Sequence, residues 1–250
     1  MVYHPDRNLS IIPNSFGLAF EELRLATEDG STIHGWYLPA PSSKPGFVLL
    51  YCHGNAGNIS HRLTKARMLR PLGLAILLFD YRGYGRSEGT PSEEGTYWDA
   101  EAAYRYLVDK KGYPPERIIL YGESLGSAVA LELALRRDSR ALILESPFTS
   151  VLDMGRRIFP YLPLRWLLRY HYDNLAKIPR LREPLLILHS PQDDVVPYEM
   201  GRRLFEAAPE PKRFFELRGD HNDGFLETGD AYPKAFAGFL SGLARRPRPS

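Results

Sequence analysis

Short apolar runs alternate with helical stretches along most of this chain, and this alternation restricts the possible fold more than any other feature of the sequence. Six runs of four to six mostly apolar residues have the length and composition of strands buried on both faces; they lie at 47–52, 74–79, 117–121, 141–144, 185–188 and 213–217. Helical stretches occupy 59–69, 92–110, 125–136, 198–207 and 231–243. Strands that alternate with helices form a mostly parallel sheet with helices packed on it, so the sequence predicts an α/β fold.

Two further segments come before the first buried run. Residues 21–27 and 32–38 flank the turn signal Glu28-Asp29-Gly30, which predicts an antiparallel hairpin. No internal repeat or linker interrupts the chain before its last six residues, which are rich in Arg and Pro. We therefore expect a single domain spanning residues 1–250.

One insertion breaks the alternation of strands and helices. Residues 148–183 contain no convincing strand and carry seven Lys or Arg against three Asp or Glu, a net charge of +4. The insertion also holds six aromatic residues, which are Phe148, Phe159, Tyr161, Trp166, Tyr170 and Tyr172. Ligands of open α/β sheets bind outside the carboxyl ends of the strands, and the insertion leaves from such an end. We interpret it as a short helical cap that contributes walls of a substrate pocket; the alternative is a surface excursion with solvated arginines.

Charge and hydrophobicity argue against several classes of function. The 32 Lys and Arg nearly balance the 30 Asp and Glu, so no strong positive field favours a nucleic acid partner. The longest run of apolar residues and glycine, 72–79, has eight residues, far short of the roughly 20 that span a bilayer, so we expect no transmembrane segment. The N-terminal residues lack the apolar core of a signal peptide, which predicts a cytoplasmic location.

The single cysteine, Cys52, excludes an internal disulfide and a metal site built from several thiolates. Its place at the end of an apolar run predicts a buried strand residue rather than a nucleophile, because no cationic neighbour in the sequence supports a thiolate. No Walker loop and no pair of histidines at zinc spacing is present. We expect neither a cofactor nor a metal, and the sequence does not determine an oligomeric state.

A Gly-x-Ser-x-Gly motif, Gly122-Glu123-Ser124-Leu125-Gly126, lies between an apolar run and a helical stretch rich in small residues. A sharp turn from strand to helix strains the backbone of the serine, and the flanking glycines relieve clashes with neighbouring elements. Ser124 is the predicted nucleophile. Leu125 opens the following helix, so its backbone N–H is a predicted donor to an oxyanion.

A serine hydroxyl needs a general base, and His221 is the best candidate among seven histidines. It lies in a loop directly after the last predicted strand, which places it at a carboxyl end of the sheet; the alternative is an ordinary loop histidine. His189 ends an apolar strand and is expected to pack or to hydrogen-bond locally.

The acid that orients the base should follow another strand end. Asp193 is favoured, and Asp194 and Glu145 remain alternatives. The reason is that in hydrolases with a Gly-x-Ser-x-Gly motif the acid follows a late strand, and the chain order is nucleophile, acid, base. The second oxyanion donor is expected from the loop 53–58, and the main chain of Asn55 is favoured there.

Several motifs together resemble the α/β-hydrolase superfamily. They are His53-Gly54-Asn55-Ala56-Gly57-Asn58, Asp80-Tyr81-Arg82-Gly83-Tyr84-Gly85, Gly122-Glu123-Ser124-Leu125-Gly126, Glu145-Ser146-Pro147-Phe148 and the loops of Asp193 and His221. Within the superfamily the chain is similar to the branch of the bud-emergence-type (Bem-like) hydrolases and the eukaryotic acyl-protein thioesterases. The resemblance covers about residues 20–243. It implies an eight-stranded sheet, a triad of Ser124, His221 and Asp193, and oxyanion donors at Asn55 and Leu125.

Two features depart from this branch. Many of its members carry an N-terminal membrane anchor or lipidated cysteines, which this sequence lacks, and Ser190 stands where the family usually has Gly. The first departure weakens the case for a lipidated-protein substrate.

The sequence as a whole predicts a cofactor-independent serine hydrolase. Its expected partner is a small-molecule carboxylic ester or thioester with a short to medium acyl chain, cleaved through an acyl-enzyme on Ser124. Two alternatives remain open: a serine peptidase or amidase that uses the same triad, and a non-catalytic binding protein on a hydrolase fold.

Overall fold

A sheet of eight strands organises the part of the chain that the computed structural model describes, which is residues 3–41, 46–159, 161–163 and 167–244. The strands are β1 (Glu21–Ala26), β2 (Thr32–Leu38), β3 (Val48–Cys52), β4 (Ala75–Phe79), β5 (Ile118–Glu123), β6 (Ala141–Glu145), β7 (Leu185–His189) and β8 (Lys212–Glu216). Their order is β8-β7-β6-β5-β3-β4-β2-β1. β2 pairs antiparallel with β1 and β4, and the other neighbours pair in parallel. The predicted hairpin and the mostly parallel α/β sheet are confirmed.

Helices separate successive strands from β3 onwards, and helices also follow β8, as the sequence predicts. They are α1 (Leu63–Leu69), α2 (Glu93–Arg105), α3 (Leu125–Arg136), α4 (Val151–Ile158), α5 (Asn174–Lys177), α6 (Tyr198–Ala207), α7 (Gly224–Glu227) and α8 (Ala231–Ala244). Two predicted helical stretches are not regular throughout. Residues Ile59–Arg62 form a 3₁₀ turn before α1, and Tyr106–Lys110 form a π-helical turn after α2.

Apolar side chains cover both faces of the sheet because successive strand residues point to opposite sides. In β3, Val48 and Leu50 belong to one buried cluster, together with residues of α2, α3 and α6. Leu49 and Tyr51 belong to the cluster on the other face, with residues of α1 and α8. Two helical layers therefore hold the sheet, and the parallel strands bring their carboxyl ends to one edge.

The loop after β3 is braced by a segment near the N-terminus. His4–Pro5 pairs in parallel with Ala56–Gly57 in a small two-stranded sheet. The Asn58 side chain donates to the carbonyl oxygens of Asp6 (3.1 Å) and Asn8 (2.8 Å). The conformation of loop 53–58 is thereby fixed from outside the main sheet.

The insertion between β6 and β7 contains α4, α5 and a 3₁₀ turn at Ile178–Arg180, and its described residues include no strand. Trp166, one of its six aromatic residues, lies outside the described residues. Of the helices formed by the described residues, none combines the length and the apolar character needed to cross a membrane.

Candidate active site

Ser124 lies at a sharp turn, directly after β5 and before the first residue of α3. Its backbone has φ 52° and ψ −116°, in a region that L-residues rarely adopt. A Cβ at Gly122 would collide with the carbonyl oxygen of Gly126, and a Cβ at Gly126 would collide with that of Cys52. The Ser124 N–H donates to the carbonyl oxygen of Glu145 at 2.8 Å. The surroundings therefore hold the strained backbone in place.

His221 reaches Ser124 from the loop after β8. Its Nε2 lies 3.0 Å from Ser124 Oγ, and its Nδ1 lies 2.8 and 2.9 Å from the two carboxylate oxygens of Asp193. The imidazole is mostly buried and the Asp193 carboxylate is completely so. The structure thus brings Ser124, His221 and Asp193 into one hydrogen-bonded chain.

The Asp193 carboxylate is surrounded by donors. The backbone N–H groups of Val195 and Val196 donate to its Oδ1 at 3.0 and 2.7 Å, and His189 Nε2 lies 3.3 Å from its Oδ2. Burial opposes ionisation, but the hydrogen bonds from His189 and His221 hold the pKa of Asp193 well below its usual range. An ionised Asp193 can accept the Nδ1–H of His221 and keep the imidazole in the orientation that points Nε2 at Ser124.

The competing carboxylates lie elsewhere. Asp194 Oδ1 accepts the backbone N–H of His221 at 3.2 Å and so supports the loop. Glu145 accepts from Lys65 Nζ (2.6 Å), Tyr121 (2.7 Å) and Tyr232 (2.6 Å) in a separate cluster. Of these three carboxylates, all of which the structure describes, Asp193 is the one with a hydrogen bond to the imidazole.

A cavity of about 390 Å³ adjoins Ser124 and His221. Both predicted oxyanion residues, Asn55 and Leu125, line it. The Asn55 side chain is held by Tyr84 and by the backbone N–H of His4, which donate to its Oδ1 at 2.9 and 3.2 Å. Leu125 opens α3, and N–H groups in a first helical turn have no partner within the helix.

The lining of this cavity is mixed in chemistry. Its apolar part includes Leu125, Phe148, Val151, Met154, Val195 and Val196. Its polar part includes Arg62, Glu123 and Asn222. The insertion therefore contributes Phe148 and two aliphatic or thioether side chains to the cavity wall.

The remaining described aromatic residues of the insertion lie outside this wall. Phe159 and Tyr161 are exposed. Tyr170 packs edge-on against Tyr3, and the Tyr172 hydroxyl lies 2.8 Å from that of Tyr3.

A buried ionic cluster lies beside the turn at Ser124, and the sequence analysis does not predict it. Lys65 on α1 is 4% exposed, and its Nζ donates to Glu145 at 2.6 Å and to Glu123 at 2.9 Å. Tyr51 also donates to Glu123. Burial opposes charge on Lys65 and on Glu123, but the attraction between them is larger. This attraction raises the pKa of Lys65 and, together with that of Arg62, holds the pKa of Glu123 well below its usual range. One signal was available in the sequence: Lys65 and the buried Leu69 are spaced so that they share one face of a helix, which indicates that Lys65 faces the core.

Cys52 is completely buried, and burial raises the pKa of its thiol. Within the described residues, no group of three or more His, Cys, Asp or Glu side chains has the arrangement of a metal site.

Comparison with known proteins places this geometry in a family. A family model described as the alpha/beta hydrolase fold matches residues 48–169. An uncharacterized protein of Mycobacterium tuberculosis is 42% identical over 98% of this chain and 87% of its own length. Protein bem46 of Schizosaccharomyces pombe is 36% identical over 92% of this chain and 79% of its own. The chain belongs to the α/β-hydrolase superfamily and is of the Bem-like type.

A solved structure shares the fold. The esterase Pf2001 of Pyrococcus furiosus superposes with a TM-score of 0.80 at 20% identity, covering 96% of this chain and 98% of that one. Membership of the superfamily supports hydrolysis as the class of activity.

Proposed function

We propose that the protein is a cofactor-independent serine hydrolase of carboxylic esters or thioesters, with Ser124 as its nucleophile. The proposal rests on one observation above all, the hydrogen-bonded chain from Asp193 through His221 to Ser124 at the wall of a cavity. Two short bonds in series supply what a hydroxyl needs for attack, a base within reach and a group that orients the base.

In the first half of the reaction, Ser124 Oγ bonds to the carbonyl carbon while His221 Nε2 takes the hydroxyl proton. The carbonyl oxygen becomes an oxyanion, which the backbone N–H groups of Asn55 and Leu125 stabilise. The C–O or C–S bond to the leaving group then breaks, and His221 gives its proton to the departing alcohol or thiol. Asp193 stays ionised and stabilises the imidazolium.

In the second half, water replaces the leaving group. His221 takes a proton from the water as its oxygen bonds to the acyl carbon, and a second oxyanion forms. The bond from the acyl carbon to Ser124 Oγ breaks, Ser124 recovers the proton from His221, and the carboxylic acid leaves.

The apolar residues of the cavity lining are suited to an acyl chain. Residues 148–183 would act as the short helical cap of a single hydrolase domain, since Phe148, Val151 and Met154 belong to this lining. A cavity of about 390 Å³ is small, so short to medium chains should be favoured. Each buried methylene adds about 0.8 kcal/mol until the space is filled.

A fluorophosphonate probe and a series of 4-nitrophenyl esters from acetate to palmitate test the proposal. We expect the native protein to be labelled, the Ser124→Ala variant to remain unlabelled, and kcat/KM to reach a maximum at short or medium chains. Absence of labelling of the native protein would favour the binding-protein alternative. A value of kcat/KM that keeps rising to palmitate would contradict the compact acyl pocket.

A further inference from the structure

The lining of the catalytic cavity contains a donor and an acceptor that attract each other but make no hydrogen bond. Arg62 Nε lies 3.8 Å from Glu123 Oε1, beyond hydrogen-bond distance. Arg62 Nε is buried and has no hydrogen-bond partner among the described residues. The guanidinium is anchored elsewhere, since its Nη2 donates to the Ala56 carbonyl oxygen at 2.7 Å. The bonds that Tyr51 and Lys65 give to Glu123 go to Oε2, not to Oε1.

This pair lies close to the reacting serine. A Cβ at Gly54 would be 3.5 Å from Ser124 Cβ and 3.6 Å from Glu123 Oε1. Because Gly54 has no side chain, the space between the serine and the carboxylate is open. Arg62, Glu123 and Ser124 all line the same cavity. A substrate whose carbonyl carbon is next to Ser124 Oγ therefore lies in the same cavity as the pair.

We propose that Arg62 and Glu123 bind a free hydroxyl group of the substrate, which makes the preferred substrate an ester of a hydroxylated alcohol. A hydroxyl group both donates and accepts, so it can donate to Glu123 Oε1 while it accepts from Arg62 Nε–H. A carboxylate placed here would be repelled by Glu123, and an ammonium group would be repelled by Arg62 and Lys65. This inference rests on the proposed serine hydrolase and specifies its substrate.

The alcohol part, rather than the acyl part, is assigned to Arg62 and Glu123 because the apolar residues of the cavity lining suit an acyl chain. A second cavity of about 270 Å³ shares Arg62, Glu123 and Asn222 with the first. His61, Thr64 and Asp223 also line it. It provides polar space for the remainder of a hydroxylated alcohol beyond the group that the pair holds.

A matched pair of esters tests the inference on the full chain. Propyl butyrate and 2-hydroxyethyl butyrate differ by a methyl and a hydroxyl group at one position, and acid release in a pH-stat measures both. We expect kcat/KM to be about 10- to 100-fold higher for the hydroxylated ester, because the propyl ester leaves Arg62 Nε–H and Glu123 Oε1 without a hydrogen bond from the substrate.

Arg62→Lys keeps a positive charge beside Glu123 but removes the Nε–H of the guanidinium. We expect it to reduce the ratio of the two kcat/KM values to about 3 or less. Arg67→Lys is the matched control, since Arg67 is exposed on α1, the helix that directly follows Arg62, and it should keep the wild-type ratio. The ratio of the wild-type protein remains a test even if Arg62→Lys fails to fold.

Three results would overturn the inference. A wild-type ratio near 1 with both esters hydrolysed would remove it and leave the serine hydrolase in place. A high ratio that persists in Arg62→Lys, or a higher kcat/KM for butyrylcholine than for 2-hydroxyethyl butyrate, would show that this pair does not bind a hydroxyl. No hydrolysis of 4-nitrophenyl butyrate would instead remove the proposed function itself.

Discussion

Two carboxylate clusters border Ser124, and they differ in the partners of their carboxylates. Asp193 contacts the imidazoles of His221 and His189, whereas Glu123 and Glu145 contact the ammonium group of Lys65. Both Asp193 and Glu123 have a pKa held well below the usual range. An imidazole exchanges protons near neutral pH, but a lysine paired with two carboxylates keeps its proton. The first cluster is therefore suited to moving a proton and the second to holding charge fixed.

The second cluster supports the backbone of Ser124. Glu123 directly precedes Ser124, and the Glu145 carbonyl oxygen accepts the Ser124 N–H. The proposed proton transfer and the support of this backbone thus lie in neighbouring groups. Substitutions at Asp193 or His221 should reduce turnover, and substitutions at Lys65 or Glu145 should reduce stability.

The largest expected effect is on turnover. Ser124→Ala removes the nucleophile, and we expect kcat for ester hydrolysis to fall by about 10⁴- to 10⁶-fold. The melting temperature should change little, since alanine has no larger side chain to place at the turn. Retention of more than a tenth of the wild-type kcat in steady-state assays would contradict the role of Ser124.

The next effect separates two adjacent carboxylates. Asp193→Asn loses the charge that stabilises the imidazolium and the correct tautomer, so kcat should fall by about 10³- to 10⁴-fold. Asp194→Asn is the matched control and should lower kcat by less than about 10-fold, because Asp194 accepts from the backbone N–H of His221 and not from its imidazole. A larger loss for Asp194→Asn than for Asp193→Asn in the same assay would reverse the assignment.

The third effect tests the supporting cluster. Lys65→Met removes the ammonium group that both buried carboxylates contact, and we expect the free energy of unfolding to fall by about 3 to 5 kcal/mol. Lys111→Met breaks a partly exposed pair with Glu21 and should cost about 1 kcal/mol or less. Urea unfolding of both variants measures the difference; equal losses would show that the buried cluster adds no more stability than a surface pair.

The smallest effect is the dependence of stability on pH. Because the folded pKa of Asp193 is below its unfolded value, its ionisation stabilises the fold above the usual carboxyl range, and this contribution is lost as the pH falls through that range. The loss is at most about 1.4 kcal/mol for each pH unit from one group.

Asp193→Asn should therefore show a shallower loss of stability between about pH 5 and pH 3 than the wild type. Asp194→Asn, the exposed neighbour, should follow the wild-type slope. Urea midpoints at successive pH values measure both slopes. Parallel curves for Asp193→Asn and the wild type would argue against a stabilising ionised Asp193.

The fold and the placement of the three candidate catalytic residues could be predicted because they depend on local rules. Ser124, Asp193 and His221 each follow the end of a strand, and parallel strands bring such ends together. His189 was expected to interact locally, and its Nε2 lies 3.0 Å from the carbonyl oxygen of Val196.

Lys65 shows where sequence reasoning fails. A lysine on a short helix is usually solvated, and its burial here depends on carboxylates 58 and 80 residues away. The bracing of loop 53–58 by His4–Pro5 was missed for the same reason, because a two-residue strand has no periodicity to detect. Long-range pairing decides both features; the spacing of Lys65 with Leu69 indicates the buried face of α1 but not the carboxylates that lie against it.

The small sheet formed by His4–Pro5 and Ala56–Gly57 has a consequence for the proposed hydrolysis. Dipoles that already point at a developing charge avoid reorganisation during a reaction. Here the loop that carries Asn55 is ordered by contacts within the folded chain. If Asn55 donates to the oxyanion as proposed, the entropic cost of ordering the loop belongs to folding and not to the catalytic cycle, so binding energy from the substrate remains available to lower the barrier.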